Sequence, residues 1–185
     1  MADGPFNASL IGFGYWGPNL ARNISSSPHY RLAYISDTSP ERLDAARHSY
    51  QSAECVSDPS VALSDPDIDI VFISTPVGSH QELALAAIRN GKHVLVEKPL
   101  ALDAPSATEL VKLADANGVL LAVDHTFVFT GAVRKLRELV STGEIGDLRY
   151  FDSIRVNLGL VQPDINVLWD LAVHDLSILQ FVTEK

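Results

Sequence analysis

Gly12-Phe-Gly14-Tyr-Trp-Gly17 follows an apolar stretch, Ala8 to Ile11, near the start of the chain, and Asp37 stands twenty residues beyond Gly17. A strand can turn straight into a helix only where side chains are out of the way. Gly12 permits the tight turn, Gly14 lets backbone approach a pyrophosphate, and Gly17 lets helix and strand pack closely. A pyrophosphate would rest on the N–H groups at the helix N-terminus, where the dipole favours negative charge. Asp37 would accept hydrogen bonds from the hydroxyls of an adenosine ribose; the other reading makes it a loop residue ahead of the Ser39-Pro40 helix start.

The flanking sequence fits that turn. Pro18 suits the first turn of a helix, where its missing N–H is harmless. That helix runs through Leu20, Ala21 and Ile24, and Ser25-Ser-Ser-Pro28 breaks it. Leu32 to Ile35 predicts a second strand, with Asp37 at its carboxyl end, where ligands of open α/β sheets bind. Ser39-Pro40 opens a helix through Leu43 and Ala46, and Asp58-Pro59 starts a short helical piece. Ile68 to Ser74 and His93 to Val96 are near-continuous apolar runs, the pattern of strands buried on both faces. Between them a helix of about Ser79 to Asn90 is closed by Gly91. Asp103 to Asn117, ended by Gly118, predicts another helix, and Val119 to Val123 a last strand. Alternating strands and helices of this kind point to α/β architecture, a Rossmann-type doubly wound parallel sheet.

The character changes near Asp124-His-Thr-Phe127, and we place a domain boundary there, with residues 1–126 forming the dinucleotide-binding domain and 127–185 a second part. In that second part the pattern predicts a helix over about Ala132 to Thr142, a strand over about Leu148 to Asn157, and a last helix from Trp169 through Val182.

Composition narrows the setting. A net charge of −9 without a Lys/Arg run argues against nucleic acid or an anionic membrane surface as partner. Cys55 is the single cysteine, which excludes an intrachain disulfide and suits a reducing compartment. Met1-Ala-Asp-Gly-Pro5 lacks the basic and apolar regions of a secretion signal, and no apolar run is long enough to span a membrane. The expectation is a cytoplasmic protein.

Three further positions carry potential chemistry. Lys98 ends the His93–Val96 strand at the same sheet edge as the glycine turn; it is either a surface lysine paired with Glu97 or a cation for a substrate hydroxyl that gains oxyanion character. Asp170 and His174, four residues apart, lie on one face of a helix. They make either an acid/base pair, since imidazole titrates near neutrality, or an N-cap beside a packed histidine. His80 opens the helix after Thr75-Pro76 and either touches a cofactor or decorates the helix start; Trp16 either shields a cofactor or packs beside the turn. His48, His93 and Cys55 show no metal-ligand spacing, so no metal is expected.

Together, Gly12-Phe-Gly-Tyr-Trp-Gly17, Thr75-Pro76, Gly91-Lys-His-Val-Leu-Val-Glu-Lys-Pro99 and Asp170-Leu-Ala-Val-His174 resemble the glucose–fructose oxidoreductase / inositol dehydrogenase / rhizopine catabolism (Gfo/Idh/MocA) family, in the family's order and across essentially the whole chain. Tyr15-Trp-Gly-Pro-Asn19 and Gln162-Pro-Asp-Ile-Asn-Val-Leu-Trp169 look like members acting on sugars or nucleotide-linked sugars. The resemblance implies that Lys98 contacts nicotinamide and substrate, that His174 is the acid/base, and that Asp170 is its partner. Candidate cofactor contacts are Gly12, Gly14, Tyr15, Trp16, Gly17, Asp37, Thr75, Pro76, His80, Glu97 and Lys98. Asp37, with no arginine immediately after it, argues for NAD, with NADP disfavoured by repulsion of its 2′-phosphate.

The implied activity is hydride transfer between the nicotinamide and a hydroxyl or keto carbon of a sugar or nucleotide-linked sugar, in a homo-oligomer when full length. Members of the family continue into a large, mostly antiparallel sheet, whereas this sequence stops at Lys185, eleven residues after His174. It therefore reads as the front half of such an enzyme, with residues 127–185 the incomplete start of an α+β substrate and oligomerisation domain. The competing expectation is a truncated, non-catalytic dinucleotide-binding module acting as a sensor or subunit.

Overall fold

Two near-continuous apolar runs lie at the centre of the sheet, and the rest of the first part of the chain is arranged around them. The computed structural model describes residues 4–155 and 165–183. In chain order the first part comprises β1 (Phe6–Ile11), α1 (Gly17–Ser26), β2 (Tyr30–Ser36), α2 (Pro40–Ser49), β3 (Glu54–Val56), α3 (Ser60–Ser64), β4 (Ile70–Ile73), α4 (His80–Arg89), β5 (His93–Glu97), α5 (Ala104–Asn117) and β6 (Leu121–Asp124). The six strands form one sheet in the order β3-β2-β1-β4-β5-β6. β1 pairs in parallel with β2 and β4, and β4 in parallel with β5. This is the expected Rossmann-type doubly wound sheet.

Strand side chains alternate between the two faces, and each face has its own core. Ile11, Val71, Ile73, Val94 and Val96 pack with Ala84, Ala87 and Ile88 of α4 and Leu110 and Ala114 of α5. Ala8, Leu10, Ile35 and Phe72 pack on the other side with Leu20, Ala21 and Ile24 of α1 and Ala46 of α2. A sheet covered on both sides needs strands apolar at every position, which is why β4 and β5 read as continuous runs in the sequence.

Local chemistry sets the helix ends. Ser39 caps α2 by accepting a hydrogen bond from the Arg42 N–H, and Pro40 follows in the first turn. Asp103 caps α5 through the Ser106 N–H, and Gly118 closes it in the left-handed conformation at φ +65°.

The chain divides into two compact units between Val123 and Asp124. The second unit holds α6 (Gly131–Ser141) and α7 (Val173–Thr183), the latter entered through a single π-helical turn over Leu168–Ala172. The expected strand over Leu148–Asn157 does not form in residues 148–155, which are irregular; Val156 and Asn157 lie outside the described residues. Alternation of apolar residues makes a strand only where a neighbour takes up its backbone hydrogen bonds. No helix among the described residues is long and apolar enough to cross a membrane.

Candidate functional site

The strand order reverses between β1 and β4: the chain works outward to β3 on one side and to β6 on the other. Open α/β sheets bind ligands in the crevice outside the carboxyl ends at such a point. The residues found there are those that follow β1, β2, β4 and β5.

After β1, Gly12 adopts φ +95°, and a Cβ at this position would lie 2.6 Å from the Ser74 carbonyl oxygen. A Cβ on Gly17 would lie 2.4 Å from the Gly12 carbonyl oxygen. The turn therefore closes against both β4 and its own helix, at distances that no side chain permits. Two hydrogen bonds hold it in place: the Gly12 N–H donates to Ser36 O at 2.7 Å and the Ser74 hydroxyl to Gly12 O at 2.8 Å. The N-terminus of α1 carries no side-chain cap and no acidic residue in its first turn, so its amides and dipole are suited to an anion. Tyr15 and Trp16 lie beside this turn with ring centroids 6.5 Å apart, and Tyr15 is 79% exposed.

Asp37 follows β2, and its side chain is only 5% exposed. Its Oδ2 accepts the Phe13 N–H at 2.7 Å, inside the glycine turn, and its Oδ1 accepts the Ser39 N–H at 2.8 Å. A buried carboxylate needs such donors, and these two join the end of β2 to the turn after β1. The Arg42 guanidinium, one helical turn into α2, stands 3.6 Å from Asp37 Oδ2.

After β4, Ser79 Oγ lies within hydrogen-bond distance of Thr75 Oγ1 at 2.7 Å and of Pro76 O at 2.9 Å. His80 is 1% exposed, and its ring spans two loops: Nε2 lies 2.9 Å from Thr75 O and Nδ1 2.8 Å from Pro99 O. The ring thus ties the loop after β4 to the segment that carries Lys98. Glu97 ends β5, its Oε2 accepts the Lys98 N–H at 3.3 Å, and both side chains are half-buried.

In the second unit Asp170 sits within the π turn and His174 in the first turn of α7. π turns recur at functional sites because the extra residue re-aims side chains. His174 is buried, and its ring meets Phe127 edge-on at a centroid distance of 4.7 Å. Next to it, Asp175 receives a two-pronged ion pair from Arg155 at 3.0–3.3 Å, and the Arg155 hydrogen bond holds the Asp175 carboxyl below the usual carboxylate range. Arg155 also lies over the Phe127 ring at 4.6 Å.

Sequence reasoning did not single out Arg42, Ser74 or His125. Ser74 and His125 directly follow β4 and β6, and position after a strand was the signal that could have found them. Burial pushes the His125 imidazole below its ordinary value, against the opposing pull of Asp124. Among the described residues no cluster of His, Cys, Asp or Glu is suited to a metal ion. A shallow apolar groove of about 800 Å³ along α5, between Ala104 and Ala116, contains none of the candidate side chains.

With this geometry in view, comparison with known proteins decides the family. Residues 6–125 match the family described as an oxidoreductase family with an NAD-binding Rossmann fold, Gfo/Idh/MocA. The chain belongs to this family. The dTDP-3,4-didehydro-2,6-dideoxy-alpha-D-glucose 3-reductase of Streptomyces violaceoruber is 37% identical to it over 166 residues, covering 84% of this chain and 47% of that protein. The 1,5-anhydro-D-fructose reductase of Ensifer adhaerens is 36% identical over 158 residues, 80% of this chain and 47% of the relative. Among solved structures, a mutant of KijD10, a 3-ketoreductase from Actinomadura kijaniata in complex with TDP-benzene and NADP, is 27% identical with a TM-score of 0.72 over 78% of this chain and 46% of that one. The chain spans about half the length of the curated relatives it matches.

Proposed function

We propose that this chain carries the dinucleotide site and the acid/base residues of an NAD(P)-dependent oxidoreductase acting on a hydroxyl or keto carbon of a sugar or nucleotide-linked sugar. The observation that carries this reading is the convergence of the Gly12–Gly17 turn, Asp37, Thr75 and Lys98 on one carboxyl edge, in a member of an NAD-binding oxidoreductase family. The sugar reductases among its relatives support the substrate class.

The glycine turn and the α1 N-terminus would hold the pyrophosphate, and Asp37 would face the adenosine ribose, which favours NAD. The nicotinamide, when bound, supplies the hydride acceptor or donor. Lys98 would hydrogen-bond the reacting oxygen and stabilise the negative charge that develops on it. His174, with Asp170 as its partner, would take the hydroxyl proton during oxidation and return it during reduction. The same reading makes the working enzyme a cytoplasmic homo-oligomer.

The test is nicotinamide reduction by the purified chain across a panel of sugars and nucleotide-linked sugars, with NAD affinity measured alongside. Turnover should fall by at least about a hundredfold in Lys98→Ala and in His174→Ala, the size of a lost acid/base or charge-stabilising group, with NAD affinity changed little in the His174 variant. Tight NAD binding without turnover on any substrate would instead identify a non-catalytic dinucleotide-binding module.

A further inference from the structure

His174 has an acid on either side of it in the chain. Asp170 stands four residues before it, in the π turn, and Asp175 is the next residue. A carboxylate beside an imidazole favours the protonated ring, and two of them would hold a proton that an acid/base group must give up. The structure commits Asp175 elsewhere. Arg155 Nε donates to Asp175 Oδ1 and Oδ2 at 3.3 and 3.2 Å, and Nη2 donates to Oδ1 at 3.0 Å, so one guanidinium takes both oxygens. The Arg155 bond comes first among the influences that hold the Asp175 carboxyl below the usual range; the charge of His174 pulls the same way, so the two neighbours feel each other. The same guanidinium lies over the Phe127 ring at 4.6 Å, and Phe127 meets the buried His174 ring edge-on at 4.7 Å. The contacts therefore close on themselves, from His174 through Asp175, Arg155 and Phe127 back to His174. Of the other elements packed on α7, the turn over Thr126–Phe129 has no charged residue, the π turn brings Asp170, and α6 brings Arg137, which lies over Phe181.

We propose that Arg155 is a positioning residue for His174. It holds Asp175 away from the imidazole, which makes Asp170 the acid that partners the ring, and it packs against the Phe127 that fixes the ring's edge. Arg155 acts through these two side chains and not on the reacting atoms. With the Asp175 charge balanced, the imidazole is free to pass between its neutral and protonated forms. This proposal rests on the acid/base reading of His174 given above and names the residues that tune it.

NMR titration of the histidine C2 protons of the full chain, over roughly pH 5 to 9, tests it without substrate or cofactor. The His174 signal is the one absent from His174→Gln. Arg155→Met keeps an apolar stem over Phe127 and leaves Asp175 bare, so the His174 midpoint should rise by at least about half a pH unit. Asp175→Asn keeps the guanidinium and removes the carboxylate, so the midpoint should fall. The double variant, with neither charge, should lie between the two single variants. His29, His48 and His93 of the first unit should not move, and circular dichroism should match the wild type. If Arg155→Met fails to fold, Asp175→Asn carries the test alone. An unchanged His174 midpoint in either folded single variant, or shifts of the same sign in both, overturns the proposal. Loss of the fold in both variants makes the pair a stabilising one only and overturns it equally. Opposite shifts alongside turnover that survives His174→Ala overturn the acid/base reading and leave the arrangement around the ring standing.

Discussion

The two units of this chain differ in how much apolar side chain they bury. In the first, Leu10, Ile35, Ile73, Ile88 and Leu110 are fully buried, and helices cover the sheet on both faces. In the second, His174 and Val182 are the buried side chains among the described residues, while Tyr150, Leu168 and Ile154 are exposed, Ile154 by 83%. Its contacts include Arg137 over Phe181 at 4.3 Å, Arg134 over Phe129 at 5.7 Å, Arg155 over Phe127 at 4.6 Å, the edge-on Phe127–His174 rings and the Arg155–Asp175 ion pair. Apolar burial is non-directional and nearly indifferent to pH, whereas cation–aromatic and ionic contacts depend on protonation and salt. The candidate dinucleotide site lies in the unit with the larger buried core, and the candidate acid/base pair in the unit with few fully buried side chains.

Each unit contains one of the two tryptophans, Trp16 in the first and Trp169 in the second, so single-tryptophan variants can follow them separately in urea. The largest expected effect is that of Gly12→Ala. A Cβ 2.6 Å from a backbone carbonyl, at φ +95°, should cost about 3 kcal/mol or more through strain and overpacking. The Trp16 midpoint should fall and the Trp169 midpoint should hold; if both fall together, the units unfold as one and the contrast fails.

Asp175→Asn should act on the other side. Its carboxyl is held down by Arg155, so the stabilisation is present above the unfolded value of about 3.9 and is lost as pH falls through the lower folded value. At pH 7 the substitution should cost the second unit about 1 kcal/mol, and the acid-dependent part of its Trp169 transition below about pH 4 should shrink. The Trp16 transition should not respond. Arg137→Ala, which removes the guanidinium from the Phe181 face, should cost about 0.5–1 kcal/mol in the Trp169 signal alone.

What the sequence made legible follows the same division. Continuous apolar runs give β4 and β5, and Pro40, Gly91 and Gly118 punctuate the helices, because a doubly covered sheet imposes strong local constraints on its sequence. β3 was missed: three residues long and at the sheet edge, it has too few positions to show a period. The expectation of a strand from Leu148 came from alternation alone and lacked a partner strand to support it. Within the site, the positions of Gly12, Gly17 and Asp37 were readable, but not the orientation of the Asp37 carboxylate. It turns inward to the Phe13 and Ser39 amides, and only the folded turn brings those donors to it. Arg42 was missed for a related reason, since the capped first turn of α2 folds it back over the strand end.

His80 joins two adjacent loops through a single rigid ring. Thr75 O lies 2.9 Å from Nε2 and Pro99 O 2.8 Å from Nδ1, and both oxygens are acceptors, so a neutral ring donates to one of them and an imidazolium to both. The link between the segment after β4 and the one leading out of Lys98 is therefore complete only when the buried ring carries two protons, which makes the join between these two segments sensitive to the protonation of one side chain.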